Sequence, residues 1–339
     1  MRFGVIGAGS WGTAFSKLLI ENGHEVVIWA RRKDLANEIN TYHTNRKYLG
    51  NAQLPELLRA STDLIETVAR SDIVVLAVPV KYLEPVLERI KIPKIVLNLS
   101  KGIDRKNRTV SRIVQSLLPN AEYLVLSGPS HAEEVIRRLP TSVVLAGKNE
   151  KLCREIQKRV NSEYFRVYTS TDVLGVEICG SVKNVIAIGA GILDGLGGWD
   201  NAKAALMTRG LYEMVKFGTA YGAQNPLTFM GLAGIGDLLV TCMSQHSRNR
   251  YVGEMIGKGK KLQDILQNMS MVAEGVYTVK PLLELASEKK IEMPVCQQVK
   301  EILYEGKNIQ NAMKDLMNRS LKPEIRLKEL MNFDQGPQL

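Results

Sequence analysis

Short apolar runs and one amphipathic segment alternate over the first thirty or so residues. An apolar run at 2–6 is followed by apolar positions at helical spacing within 14–19, a break at Asn22-Gly23, and a second apolar run at 25–29. The pattern predicts a strand, a helix and a second strand in direct succession.

The same alternation continues to about residue 170. Further strand-like runs lie at 73–78, 95–99, 123–126 and 142–145, with helical segments such as 81–90 and 109–117 between them. Strands that alternate with helices predict a parallel, doubly wound sheet of the Rossmann type. Ligands of such sheets lie at the carboxyl ends of the strands.

The second half of the chain has helical periodicity throughout. Predicted helices lie at 175–196, 201–221, 236–242, 248–256, 261–268, 277–288, 295–304 and 309–317. We therefore expect an α/β protein with a sheet domain at 1–175, an all-helical domain at 176–330 and a disordered tail at 331–339. The cleft between the domains is the expected active site.

The first predicted turn has the pattern G-x-G-x-x-G. Gly7 would make the tight turn, Gly9 would let a pyrophosphate approach the backbone, and Gly12 would let the helix pack on the strand. An ordinary glycine turn is the alternative. With a strand before it and a helix after it, the pattern favours a dinucleotide site in which the phosphates lie on helix N–H groups.

The second predicted strand ends in Ala30-Arg31-Arg32 rather than in the acidic residue typical of NAD-specific sites. Two guanidinium groups there could pair with the 2′-phosphate of NADPH. A solvated basic loop is the alternative. We expect both NADP and NAD to be accepted as cofactors.

Composition and charge indicate which class of protein and which class of ligand to expect. The 339 residues are 45% hydrophobic and 24% charged, which is typical of a globular protein, and their net charge is +10. The basic residues are spread along the chain among acidic ones, so we expect small anionic ligands rather than nucleic acid.

Two further observations bear on location and metals. No run approaches the length of a membrane span, and the chain begins with its first strand, so we expect a cytoplasmic protein without membrane insertion. The four cysteines lack C-x-x-C spacing and there are only four histidines, which indicates neither a disulfide framework nor a metal site.

Two polar groups interrupt the apolar pattern of the helical half. Lys183 and Asn184 lie in a nearly continuous apolar run, where a lysine must find an anion or lose its proton, so Lys183 is a candidate general acid or base. The alternative is a lysine that snorkels to the surface. Asp237 and Thr241 share a helix face and could orient that lysine, although Asp237 could equally be a helix N-cap.

Other candidates are sets of hydrogen-bond donors. Ser247, Arg248, Asn249 and Arg250 suit a phosphate group, with a solvated basic loop as the alternative. The segment 127–130 could present N–H and hydroxyl groups to a ligand, or simply form a turn. Lys101, at a strand end, could bind an anion or be an exposed loop charge.

Taken together, these segments resemble the bacterial-type NAD(P)-dependent glycerol-3-phosphate dehydrogenases. The matching segments, in the family's order from residue 1 to beyond 300, are G-A-G-S-W-G at 7–12, S-K-G at 100–102, G-P-S at 128–130, V-K-N at 182–184, D-G-L-G-G-W-D-N at 194–201, G-L-A-G-I-G-D-L at 231–238, S-R-N-R at 247–250 and A-E-G-V at 273–276. One departure is His131, where the family commonly has an aromatic residue.

The resemblance implies roles for individual residues. It implies substrate contacts at Lys101, Gly128, Ser130, Lys183, Asp237, Ser247, Arg248 and Asn249. It implies cofactor contacts at Ser10, Trp11, Arg31, Arg32, Lys101, Ala132, Arg248, Val272 and Glu274, beside the glycines Gly7, Gly9 and Gly12. Lys183 matches the catalytic lysine, and we expect Asn184, Asp237 and Thr241 to support it.

The implied reaction interconverts dihydroxyacetone phosphate and sn-glycerol 3-phosphate, which feeds phospholipid synthesis, and the family expectation is a homodimer. Two alternatives remain open on the residues alone. A related two-domain dehydrogenase could act on a β-hydroxyacid or ketopantoate. A regulatory protein could bind the cofactor without turnover, although the presence of Lys183 argues against that.

Overall fold

The computed structural model describes residues 1–90 and 93–324. By its contacts the chain divides into two units. Among the described residues, the sheet unit comprises Met1–Lys101 and Arg108–Val176, and the helical unit comprises Gly102–Asn107 and residues 177–324. The predicted boundary at 175/176 lies within one residue of the last of these junctions, but the short segment after Lys101 belongs to the helical unit.

The sheet unit is built on eight strands. They are β1 Arg2–Ile6, β2 Glu25–Trp29, β3 Arg59–Ser61, β4 Ile73–Leu76, β5 Ile95–Asn98, β6 Glu122–Ser127, β7 Thr141–Gly147 and β8 Phe165–Ser170, in the order β3-β2-β1-β4-β5-β6-β7-β8. All neighbouring pairs are parallel except β6 and β7, which are antiparallel. The predicted doubly wound sheet is confirmed, except that it is mostly rather than entirely parallel, because β7 runs antiparallel to β6.

Helices cover both faces of this sheet. They are α1 Ser10–Glu21, α2 Lys33–Tyr42, α3 Arg46–Leu49, α4 Leu64–Ala69, α5 Leu83–Leu87, α6 Val110–Leu117, α7 Ala132–Val135 and α8 Glu150–Val160, with a 3₁₀ turn at Val80–Tyr82. In β4, Ile73 and Val75 enter one apolar core while Val74 and Leu76 enter the other. Successive side chains point to opposite faces, so this continuous apolar run requires cover on both sides.

The helical unit contains the remaining elements. They are α9 Val173–Gly195, which starts at the end of the sheet unit, α10 Asp200–Tyr221, α11 Asp237–Met243, α12 Arg248–Gly257, α13 Leu262–Asn268, α14 Glu274–Glu288, α15 Pro294–Glu305 and α16 Ile309–Met317, with a 3₁₀ turn at Pro226–Met230 and a π-helical turn at Leu232–Gly236. No strand occurs in its described residues. The predicted tail at 331–339 lies outside the described residues.

Two helical stretches among the described residues, Val173–Gly195 and Pro226–Met243, are apolar and long enough to cross a membrane by composition alone. The apolar window of the first is wholly buried in protein, as in the core helix of many globular proteins, and 39% of the second is buried. The absence of membrane insertion therefore stays a prediction.

Candidate active site

The glycine pattern forms the turn between β1 and the first turn of α1. Gly7 has φ +120°, and a Cβ there would lie 2.7 Å from the carbonyl oxygen of Ala77. A Cβ on Gly12 would overlap the carbonyl oxygen of Gly7. These two glycines are therefore required by the fold of the protein itself.

Gly9 differs from the other two glycines because a Cβ there would meet nothing within 4 Å. Gly9 is the N-cap residue of α1 and offers no side-chain cap, and Ser10 and Trp11 form the helix's first turn. Packing within the protein does not explain this glycine, whereas a phosphate approaching the N–H groups of the turn does. The turn thus fits a dinucleotide pyrophosphate.

Arg31 and Arg32 follow the carboxyl end of β2. The guanidinium carbon of Arg31 lies 6.0 Å from the ring centre of Tyr82. An Arg32 nitrogen lies 3.5 Å from Asp34, whose side chain is 73% exposed. A largely exposed ion pair is weak, so the Arg32 guanidinium can turn toward a phosphate.

Three predicted substrate residues of the sheet unit meet at one carbonyl. The Nζ of Lys101 donates to the carbonyl oxygen of Gly128 over 3.3 Å, and the hydroxyl of Ser130 donates to the same oxygen over 2.9 Å. Gly128 has φ +144°, and a Cβ there would lie 2.9 Å from the Cα of Val143, so the site needs glycine. His131 then forms the N-cap of α7, which begins at Ala132.

In the helical unit, Lys183 lies on α9 with a side chain only 6% exposed. Its Nζ is 2.6 Å from Oδ1 of Asp237 and donates to Oγ1 of Thr241 over 2.8 Å. The alternative of a lysine that snorkels to solvent is therefore wrong. The ammonium group is held by an anion and a hydroxyl within the protein, as a buried charge requires.

The backbone around Asp237 orients these groups. The π-helical turn at 232–236 precedes α11, and Asp237 is the first residue of α11 but not its cap. Thr241, one turn further, donates its hydroxyl to the carbonyl oxygen of Asp237 over 2.6 Å and so turns a lone pair toward Lys183. Asp237 could have been either a helix N-cap or the partner of Lys183, and the structure favours the partner of Lys183.

The residue next to Thr241 does not join this chemistry. Cys242 is fully buried, and burial raises the pKa of its thiol to about 12. The thiol therefore stays protonated near neutral pH and is not a nucleophile.

The predicted phosphate donors lie at the start of α12. Ser247 is the N-cap residue, and its hydroxyl accepts from the N–H of Arg250. Arg248 is half-buried, and its guanidinium lies 3.7 Å from the sulfur of Met271, the neighbour of Val272. Glu274 begins α14 close by in the chain. The alternative of a solvated loop is wrong, since this is the first turn of a helix.

Asn249 is bonded differently from its neighbours. Its Nδ2 donates to Oδ1 of Asn184 over 3.0 Å, and its Oδ1 accepts from the N–H of Gly275 over 2.9 Å. A Cβ on Gly275 would overlap the carbonyl oxygen of Asn184. Asn249 thus joins α9, α12 and α14, a link that the sequence did not predict.

Arg250 is directed away from its predicted role. Its guanidinium pairs with Asp194 at the end of α9 and with Glu254 on its own helix. Arg250, one of the four predicted phosphate donors, is thus engaged in an ion-pair network instead. In the sequence, the signal for its pairing with Asp194 was the segment D-G-L-G-G, which begins at that residue.

Comparisons with known proteins identify the family of this chain. The family model for the NAD-dependent glycerol-3-phosphate dehydrogenase N-terminus matches residues 2–153, and that for the C-terminus matches residues 172–314. The chain belongs to this family. It is an oxidoreductase that uses NAD or NADP.

Individual relatives extend the match over nearly the whole chain. Glycerol-3-phosphate dehydrogenase [NAD(P)+] of Thermotoga sp. (strain RQ2) is 55% identical over 96% of this chain and 99% of its own length. The Bacillus subtilis (strain 168) protein of the same name is 44% identical over 97% of this chain and 96% of its own. The crystal structure of glycerol-3-phosphate dehydrogenase from Coxiella burnetii has a TM-score of 0.90 at 37% identity, covering 94% of this chain and 99% of the other.

Proposed function

We propose that the enzyme reduces dihydroxyacetone phosphate to sn-glycerol 3-phosphate for glycerophospholipid synthesis, with Lys183 as general acid. The observation that carries the proposal is the buried Lys183 ammonium, held 2.6 Å from Asp237 and 2.8 Å from Thr241 in a chain of this family. A bound NAD(P)H supplies the hydride. The reverse reaction uses the same groups.

Lys183 supplies the proton that the reduction needs. As the carbonyl carbon becomes tetrahedral, negative charge develops on its oxygen, and a fixed cation beside that oxygen stabilises the charge. Nζ then transfers one proton to the oxygen, which becomes the hydroxyl of the product. Asp237 and Thr241 hold Nζ in place and Asn184 fixes the neighbouring turn, so little reorganisation is needed.

Substrate binding is assigned to two sets of residues. From the helical unit, Arg248 pairs with the phosphate, beside Ser247 and Asn249, and so aligns the carbonyl. From the sheet unit, Lys101, Gly128 and Ser130 contribute donors. We regard Asn249 chiefly as a support for this turn, because both ends of its amide are already bonded.

The dinucleotide is assigned to the turn at Gly7, Gly9, Ser10, Trp11 and Gly12, to the arginines after β2, and to Lys101, Ala132, Arg248, Val272 and Glu274. We also propose a cytoplasmic homodimer that inserts into no membrane. Sedimentation velocity, with one species at twice the 37.7 kDa chain mass expected, tests the oligomeric state.

The reaction is tested by steady-state assays with dihydroxyacetone phosphate and each of NADH and NADPH, beside ketopantoate. We expect oxidation of both cofactors with the phosphorylated ketone and little with ketopantoate. Failure to reduce dihydroxyacetone phosphate would overturn the proposal.

The arginines are tested on cofactor preference. Arg31→Asp together with Arg32→Ala is expected to lower the NADPH to NADH ratio of kcat/KM by about tenfold or more, because paired guanidinium groups contribute strongly to phosphate binding. Titration with 2′,5′-ADP against 5′-AMP gives the same comparison without turnover. An unchanged ratio would show that these arginines do not bind the 2′-phosphate.

A further inference from the structure

Helices α9 and α12 pack with their backbones in direct contact. A Cβ on Gly191 of α9 would overlap the carbonyl oxygen of Arg250, and a Cβ on Gly253 of α12 would overlap that of Ile188. Gly195 and Gly257 repeat this arrangement one turn further along. The contact therefore fixes the spacing of the two helices, because small residues let their backbones approach closely.

Asp194 lies at the end of this contact. Its two carboxylate oxygens are 2.7 and 2.9 Å from Nζ of Lys203 on α10, and Oδ2 also pairs with Nε of Arg250 on α12. All three side chains are between 12% and 18% exposed. One carboxylate thus ties the end of α9 to the starts of two other helices.

The network adds to the bonds of Asn249 in orienting the first turn of α12. Arg250 follows Arg248 by two residues, so its side chain leaves the helix on a different face. With Arg250 drawn to Asp194 and Glu254, the turn is fixed in rotation, and Arg248 is left on the face toward Met271.

We propose that Asp194 is a positioning residue for phosphate recognition: it holds the first turn of α12, and through it Arg248, in the orientation that binds the substrate's phosphate. This inference rests on the proposed function of Arg248. Asp194 itself is assigned no contact with the substrate or with the reacting atoms. The two cations that it joins are not available to the phosphate.

The test compares a phosphorylated with an unphosphorylated ketone. Asp194→Asn keeps the side chain's size and removes its charge. We expect kcat/KM for dihydroxyacetone phosphate to fall about ten- to a hundredfold, the scale of a misplaced binding group, while kcat/KM for dihydroxyacetone changes less than about threefold. The affinity for glycerol 3-phosphate, measured by calorimetry, is expected to fall in parallel.

Three further variants separate positioning from general damage. Asp194→Glu keeps the charge and is expected to recover most of the phosphate preference. Arg250→Lys keeps the cation but loses the fork that reaches two carboxylates, so it is expected to reproduce part of the loss. The matched control is Glu301→Gln, because Glu301 also binds two side chains, Gln297 and Lys307, and is 18% exposed.

The outcomes are distinct. A selective loss with the phosphorylated ketone in Asp194→Asn, absent in Glu301→Gln, supports the proposal. Equal losses with both ketones would mean a merely structural role, and an unchanged preference would mean no role; either overturns it. If Asp194→Asn does not fold, Arg250→Lys decides by the same criterion. Failure of the parent enzyme to reduce dihydroxyacetone phosphate would instead overturn the proposed function.

Discussion

Asp237 and Glu213 are two of the buried carboxylates of the helical unit, and they differ in what satisfies them. Asp237, 2% exposed, pairs with the ammonium of Lys183. Glu213, 3% exposed and on α10, accepts from the N–H groups of Val295 and Cys296 at the start of α15, over 2.6 and 3.1 Å. Burial is nearly the same in both, so burial alone does not separate a carboxylate of the active site from one that supports the fold.

The partners have different consequences for charge. Lys183 pairs with Asp237 directly as a cation, whereas the groups that donate hydrogen bonds to Glu213 are neutral, among them the N–H dipoles of a helix N-terminus. Desolvation raises the pKa of Glu213 to about 7, although the two backbone hydrogen bonds and the charge of Arg209 act in the opposite direction. In the proposed mechanism Asp237 orients the catalytic lysine, whereas Glu213 anchors the start of α15.

The largest effect is expected from Lys183→Met. Loss of a general acid typically costs 10²- to 10⁴-fold in turnover, and the unpaired Asp237 should destabilise the fold by about 3–5 kcal/mol. The double variant Lys183→Met with Asp237→Leu should regain most of that stability without regaining turnover. Denaturation and kcat measured on both variants separate folding from catalysis. If turnover returned with stability, Lys183 would have only a structural role.

A smaller effect is expected from Asp237→Asn. The amide keeps the size of the side chain and leaves Thr241 as a partner, but it no longer fixes the ammonium by charge. We expect kcat to fall about ten- to a hundredfold with a smaller change in KM, because alignment is lost rather than binding. A fall in affinity for glycerol 3-phosphate equal to the fall in kcat would place Asp237 in substrate binding instead.

Glu213→Gln is expected to have the smallest effect on activity and the clearest effect on how the free energy of unfolding depends on pH. A carboxyl whose folded pKa of about 7 exceeds the ordinary 4.5 binds its proton more tightly in the folded state. Glu213 therefore stabilises the folded state at low pH. This stabilisation, about 3 kcal/mol of unfolding free energy in total, is lost as the pH rises from 4.5 through 7.

The measurement is the free energy of unfolding at several pH values between 4.5 and 8. We expect Glu213→Gln to remove this downward trend while kcat stays within about twofold of the parent. A parent and variant with parallel stability profiles would contradict the assignment of a raised pKa to Glu213.

Local patterns in the sequence predicted much of this molecule. The sheet, the glycine turn and most helices follow from periodicity, because buried strands and amphipathic helices leave direct signals in the order of apolar residues. β3 was not predicted, since Arg59–Ser61 is a short, half-exposed strand. β8 was missed although its burial alternates at first along Phe165–Ser170.

The site was predicted less evenly. Lys183 stood out because a lysine in an apolar run needs a partner, and Asp237 was a candidate because it shares a helix face with Thr241. The bond between Asn184 and Asn249 and the pairing of Arg250 with Asp194 join residues far apart in the chain. Glu213 also had no signal, because its partners are backbone N–H groups whose position depends on the packing of α15 on α10.

In the proposed reaction the Lys183 amine donates the proton, and chemical rescue tests this role most directly. In Lys183→Ala, turnover with dihydroxyacetone phosphate should be strongly reduced, and added primary amines should restore part of it in proportion to their protonated concentration. The same amines should leave the parent enzyme unchanged. Turnover near the parent's in Lys183→Ala without any amine would contradict the account.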